Sequence, residues 1–141
     1  MATAGYSGTP LAGKLGLKPG GTLVLLNAID GIEDQLAPMP AATVIRRTLA
    51  SSNQLVLLFC KDSATLQRSL PAVAKKLAAE GSLWISWPKK SSKLFIDLTE
   101  DGIRAIVLPI GLVDVKVCAV NADWSGLKLM VRKEQWNKWN Q

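Results

Sequence analysis

Three runs along the chain are apolar at consecutive positions rather than at alternate ones. They are TLVLL from Thr22, QLVLLFC from Gln54 and SLWISWP from Ser82. This pattern is typical of strands that are buried on both faces, as in a parallel sheet with helices above and below. We therefore expect the three runs to pair in one sheet. Its central strands should contain Leu23, Leu25, Val56, Leu58, Leu83 and Ile85.

Helical spacing appears between these runs. Leu66, Leu70, Val73 and Leu77 are spaced by four, three and four residues, which is one face of a helix. Asp62 or Ser63 can cap its start, Pro71 can bend it, and Gly81 is the predicted stop. A second helix should begin after Thr99, and a short one should lie between Pro10 and Gly16.

The C-terminal part predicts a strand hairpin. Val113, Val115, Val117 and Ala119 alternate with polar residues, NADWSG has the size of a turn, and LKLMVRK returns. ATVIRRTL, rich in β-branched residues, predicts a further strand near residue 45. The whole order indicates an α/β, three-layer Rossmann-like sheet, mostly parallel, with a C-terminal antiparallel strand pair. We expect a single domain over residues 1–141, with a flexible segment at 1–8 and a tail at 133–141.

This order of elements resembles the class I methyltransferase fold, with one strand–helix unit missing from the first half. The words GYSGTPLAGKLGLKPG, LLNA, LWISWPKK, DLTED, GLVDVKVCAV and WSGLKL also resemble a bacterial family of short proteins catalogued as a domain of unknown function. That second resemblance implies no reaction and no catalytic residue.

The methyltransferase resemblance implies a cofactor site that this sequence does not reproduce. In that fold, adenosylmethionine lies against a glycine-rich turn after the first strand, and an acidic residue usually ends the second. Here the first turn is Asn27-Ala28-Ile29-Asp30-Gly31, and the second strand runs into Arg46-Arg47. Side chains in the turn would crowd the ligand. We expect no cofactor, and weak or no binding of adenosylmethionine.

Composition narrows the chemistry further. The chain has 141 residues, a net charge of +6 and no histidine, which excludes histidine-dependent triads and the commonest zinc ligand. Cys60 and Cys118 lie in apolar runs and are expected to be buried and reduced, and we expect no metal site. No apolar run approaches the ~20 residues of a membrane helix, and the start lacks a secretory signal. We therefore expect a cytoplasmic location.

Ligands of open α/β sheets bind beyond the carboxyl ends of the strands. The residues that follow the three buried runs are Asn27, Asp30, Lys61, Lys89 and Lys90, and in a parallel sheet they would share one rim. The two lysines follow a proline that holds the chain extended, and they suit an anion. The alternatives are a turn role for Asp30, a capping role for Asp62 and a solvated loop for the lysines.

The tryptophans leave two interpretations open. Trp124, in the hairpin turn, either marks a partner surface or folds back on the sheet. Trp136 and Trp139 either pack on the domain or stack on bases.

Three functions fit these patterns. The first is a non-catalytic methyltransferase-like module for protein interaction or regulation. The second is a small enzyme or binding protein for an anionic metabolite that uses the rim. The third, nucleic-acid binding through the basic pairs, is the least favoured. The expected partner is therefore a protein or an anionic small molecule, with no membrane.

Overall fold

A six-stranded mixed sheet forms the centre of the computed structural model, which describes residues 10–139. The order of the strands across the sheet is β2-β1-β3-β4-β6-β5. Their bounds are β1 Thr22–Leu26, β2 Val44–Arg46, β3 Asn53–Phe59, β4 Leu77–Pro88, β5 Leu112–Ala119 and β6 Trp124–Val131.

The first four strands are parallel and the last two form an antiparallel hairpin. β1 pairs in parallel with both β2 and β3, and β3 pairs in parallel with β4. β6 runs antiparallel to β4 and to β5. The predicted pairing of the three apolar runs in one sheet, and the α/β class, are therefore confirmed.

Helices cover both faces of the sheet, because the central strands are apolar on both sides. One face packs against α1 (Leu11–Leu15) and α2 (Ile32–Leu36), and we call it the α1–α2 face. The other packs against α3 (Ser63–Lys76) and α4 (Glu100–Val107), and we call it the α3–α4 face. The predicted caps are present: Asp62 accepts from the Thr65 N–H at 2.8 Å, and Thr99 from the Gly102 N–H at 3.0 Å.

The predicted helix stop at Gly81 is wrong. α3 continues through Pro71 but ends at Lys76, and Gly81 lies inside β4. A Cβ at this position would lie 3.0 Å from the carbonyl oxygens of Asn53 and Gln54 on β3. The glycine is therefore needed for close approach of two strands, at the point where their register shifts.

The prediction that inward and outward residues alternate regularly along β5 is also wrong. The register shifts between Asp114 and Lys116, so a β-bulge interrupts the strand. Val115 and Val117 are both about half exposed and do not form one buried face with Val113. The second predicted strand is present but short, since only Val44–Arg46 pairs with β1.

The C-terminal tail packs on the domain. Lys133–Lys138 forms a 3-10 helix, as does Leu108–Ile110 before β5. The indole N–H of Trp139 donates to the Leu77 carbonyl at 2.8 Å, and that of Trp136 to the Val131 carbonyl at 3.0 Å. Both rings contact the α3–α4 core, so the two tryptophans pack on the domain, as the first of the two interpretations expects. The flexible segment predicted at 1–8 lies outside the described residues.

Trp84 links three elements on the α1–α2 face. Its indole is completely buried, and its N–H donates to the carbonyl of Leu15 at the end of α1, at 3.0 Å. Gly126 of β6 makes room for the ring, since a Cβ there would lie 3.3 Å from Trp84 Cε3. None of the helices within residues 10–139 is long and apolar enough to cross a membrane.

We predict that Trp84→Phe destabilises the protein more than Trp87→Phe does, by about 1–3 kcal/mol in the free energy of unfolding. Both changes remove similar volume from the core. Trp84→Phe also leaves the buried Leu15 carbonyl without its donor, whereas the Trp87 indole makes no hydrogen bond within the described chain. Urea unfolding of both variants measures the difference, and equal losses would show that this hydrogen bond does not matter.

Candidate functional site

The carboxyl ends of β1, β3 and β4 lie at the same edge of the sheet, because the three strands are parallel. The residues that follow them, however, line three clefts rather than one rim. We call these the first-turn cleft, the β1–β3 cleft and the α4 cleft.

The first-turn cleft is small and contains Asp30. It has a volume of about 210 Å³ and is lined by residues 28–34 and Arg47. Arg47, just beyond β2, forms an ion pair with Glu33 of α2. Glu33 and Asp34 also place negative charge in the first turn of α2, which disfavours an anion there.

Asn27 is the turn residue that ends β1. Its φ is +55°, in the left-handed region that asparagine tolerates better than most residues. Its side-chain amide donates to the Phe59 carbonyl at 3.2 Å, which joins the ends of β1 and β3. Asparagine thus makes the turn at which the methyltransferase resemblance implies glycine.

The β1–β3 cleft is the largest of the three, with a volume of about 460 Å³. That value lies within the range of about 300–1,000 Å³ found for small-molecule sites. Its lining residues come from the ends of β1 and β3, the first turns of α3 and the start of β6. They are Asn27, Ile29, Phe59, Lys61, Thr65, Arg68, Ser69 and Trp124.

Positive charge dominates the polar side of the β1–β3 cleft. Lys61 and Arg68 are exposed there, and Arg68 also contacts the Thr65 hydroxyl at 3.4 Å. The nearby Asp62 carboxylate caps α3. Hydrogen bonds from Thr65 are the main cause that lowers the pKa of Asp62, and the charges of Lys61 and Arg68 lower it further. Asp62 is therefore ionised and accepts hydrogen bonds, which makes it unsuited to donate a proton.

The apolar wall of the same cleft is formed by Phe59 and Trp124. Their ring centroids lie 5.4 Å apart at 78°, an edge-to-face contact. Trp124 is only 8% exposed. The prediction that Trp124 marks an exposed partner surface is therefore wrong, because the indole folds back on the sheet and packs against Phe59.

Lys89 and Lys90 do not join Asn27 and Lys61. They line the α4 cleft, of about 390 Å³, together with Trp87, Thr99, Glu100, Asp101 and Ser125. The backbone N–H of Lys89 donates to the Asp123 carbonyl at 2.8 Å. This hydrogen bond joins the segment after β4 to the β5–β6 turn. Glu100 and Asp101 also line this cleft and pair with Arg104 of α4, so the cleft is mixed in charge.

Neither cysteine is suited to nucleophilic chemistry. Burial, with a smaller contribution from the Asp62 charge, raises the pKa of the Cys60 thiol to about 12. Burial also raises the pKa of Cys118, although Lys14 and Lys116 oppose the shift. Both thiols stay protonated at neutral pH, and the reactive form of cysteine is the thiolate. Over residues 10–139, no group of three or more carboxylate or thiol side chains is placed to hold a metal ion.

Two methyltransferases are among the solved structures similar to this chain. One is a "putative type 11 methyltransferase" from Sulfolobus solfataricus, with a TM-score of 0.55, 14% identity, and coverage of 81% of this chain and 85% of that one. Another is the glycopeptide N-methyltransferase MtfA in complex with sinefungin, with a TM-score of 0.50, 11% identity, and coverage of 86% and 83%. No family model and no curated protein matches the chain.

The chain has a methyltransferase-like Rossmann fold. At these identities the likeness establishes the fold alone. At the first turn, this chain does not reproduce the arrangement that the methyltransferase resemblance implies. The first-turn cleft falls below the usual volume of a small-molecule site, and a basic residue paired with Glu33 stands where an acid would be expected.

Sequence reasoning missed Phe59 and Arg68 as cleft residues. Phe59 belongs to a continuously apolar strand, whose pattern does not show which side chain borders a cleft. Arg68 had a usable signal: it lies three residues after Thr65 on α3, so both side chains share the helix face that opens on the strand ends.

We predict that the Cys60 thiol makes stability fall at alkaline pH. Below the unfolded pKa of about 9, both states hold the proton and pH has no effect through this group. Between about 9 and 12 only the unfolded state loses it, so the free energy of unfolding falls by about 1.4 kcal/mol per pH unit. From pH 8 to about 10.5 the wild type should lose about 2 kcal/mol more than Cys60→Ala.

Urea unfolding at several pH values measures this difference. Parallel pH profiles for the wild type and Cys60→Ala would contradict it. Cys118→Ala serves as the control, since its thiol is less buried and should have a smaller effect.

Proposed function

We propose that this protein is a methyltransferase-like module that does not transfer methyl groups and that binds a small anionic molecule in the β1–β3 cleft. The observation that carries the proposal is the pairing of two cations, Lys61 and Arg68, with the aromatic wall of Phe59 and Trp124. The function is then ligand-dependent regulation, by binding rather than by reaction.

The cationic side suits a carboxylate or a phosphate. Arg68 can donate two parallel hydrogen bonds to such a group, and Lys61 adds a mobile ammonium. Thr65 and Ser69, one turn apart on α3, supply hydroxyls at the same wall. Asp62 offsets part of the positive charge, which favours a ligand of low net charge over a polyanion.

The aromatic side indicates that the ligand also has an apolar body. Phe59 is almost fully buried, so its position is fixed by packing rather than by the ligand. Small-molecule sites commonly combine such preformed apolar walls with a few polar groups that fix orientation.

A non-catalytic role is supported by what the cleft offers chemically. It contains no histidine, Asp62 is ionised and used as a helix cap, and Cys60 is held as a neutral thiol. A general base or a nucleophile would need a group that is free to exchange a proton near neutral pH. Assignment to the bacterial family of short proteins, a cytoplasmic location and a protein partner remain predictions of the sequence.

The test is a thermal-shift screen with carboxylate and phosphate metabolites, followed by calorimetry. A ligand at 100 times its dissociation constant should stabilise the protein by about 2.7 kcal/mol. We expect Lys61→Gln/Arg68→Gln to weaken that ligand at least about tenfold, or ~1.4 kcal/mol. Stability should change by no more than about 0.5 kcal/mol, because both side chains are on the surface.

Lys89→Gln/Lys90→Gln is the matched control, since it removes the same charge from the α4 cleft. It should leave the affinity unchanged. A ligand that loses affinity in the control and not in Lys61→Gln/Arg68→Gln would place the site in the α4 cleft and contradict the proposal.

A further inference from the structure

A second concentration of positive charge lies on the α1–α2 face, at the β5–β6 end of the sheet. Lys116 of β5 and Lys128 of β6 are directly opposed partners in the antiparallel register. Cys118, two residues from Lys116, and Trp124, four residues from Lys128, both pack with the α1–α2 core. Since side chains alternate along a regular strand, Lys116 and Lys128 project from that same face.

Two more lysines come from the segment of α1. Burial is the main cause that lowers the pKa of Lys128, and the charges of Lys116 and Lys18 lower it further. Lys18 therefore lies near Lys128. Lys14 and Lys116 both act on the Cys118 thiol. We call Lys14, Lys18, Lys116 and Lys128 the lysine patch.

Three lysines of the patch, Lys18, Lys116 and Lys128, have no acidic partner within residues 10–139. The carboxylate nearest in sequence to Lys116 is Asp114, and it lies beyond the β-bulge, paired with Arg104 of α4 at 3.0 Å. Arg47 pairs with Glu33, and Arg104 pairs with Glu100, Asp101 and Asp114, so these carboxylates are engaged elsewhere. Like charges opposed across two strands reduce stability.

We propose that the lysine patch binds a compact ligand that carries two or more phosphate groups. Ammonium groups are point charges that suit phosphate, and directly opposed lysines can each approach a different phosphate of one ligand. Lys116 and Lys128 are opposed across two strands and Lys18 acts on Lys128, and this local concentration of charge fits a small polyphosphate better than a long nucleic-acid backbone. The tail tryptophans that could stack on bases lie on the opposite face.

The patch is separate from the β1–β3 cleft. Lys128 lies four residues along β6 from Trp124, which corresponds to about 13 Å at the usual rise of a strand. The cleft also has Asp62 beside its cations, whereas Lys18, Lys116 and Lys128 pair with no carboxylate in the described part of the chain. A multiply charged ligand should therefore prefer the patch, and variants at one place should leave binding at the other intact.

Calorimetric titration with inorganic tripolyphosphate at low ionic strength tests the proposal. We expect Lys116→Gln/Lys128→Gln to weaken binding at least about tenfold. Without ligand this variant should unfold at the same temperature as the wild type or higher, because it relieves repulsion. Lys75→Gln/Lys76→Gln, at the exposed end of α3, should bind tripolyphosphate as the wild type does.

Equal losses of affinity in Lys116→Gln/Lys128→Gln and Lys75→Gln/Lys76→Gln would overturn the proposal, since binding would then follow net charge alone. Binding of single phosphate as tight as that of tripolyphosphate would also overturn it. Tighter binding of an oligonucleotide than of tripolyphosphate, through Lys116 and Lys128, would also contradict the proposal, because the ligand of the patch would then be a nucleic acid. If the thermal-shift screen finds no ligand for the β1–β3 cleft, the test of tripolyphosphate binding at the lysine patch still stands.

Discussion

The structure depends on burying both faces of the parallel strands β1, β3 and β4. Alternate residues of these strands enter two different cores, as Leu57 and Leu58 do on β3. Neither core would exclude water without its own helical layer. Trp84 joins the layers on one face through its hydrogen bond to α1, and the tail tryptophans close the other at the start of β4. A chain this short therefore uses nearly every helix and both tail indoles as cover.

The same alternation determines the site. Strand ends that share an edge send successive side chains to opposite faces, so Phe59 borders the β1–β3 cleft while Trp87 borders the α4 cleft. Charge follows this division. Lys61 and Arg68 face an aromatic wall, whereas Lys89 and Lys90 face the carboxylates of α4. The cleft with both cations and apolar surface is the one suited to a small anionic molecule.

The fold could be predicted from sequence because apolar runs and helix caps are local signals. Thr22–Leu26 and the caps Asp62 and Thr99 needed no tertiary information. The site depended on register, which a local pattern does not specify. The position of Lys89 depends on a hydrogen bond to Asp123, and the opposition of Lys116 and Lys128 depends on the hairpin pairing. The bulge in β5 interrupts a sequence that alternates regularly, so no local signal revealed it.

This chain has a methyltransferase-like fold, and we propose that its first turn does not accept adenosylmethionine. Asn27 makes that turn, and the Arg47–Glu33 pair lies over the small cleft that remains. Calorimetric titration with adenosylmethionine tests this most directly. The account predicts a dissociation constant weaker than about 1 mM. A low-micromolar dissociation constant would contradict it, and with it the proposed absence of methyl transfer.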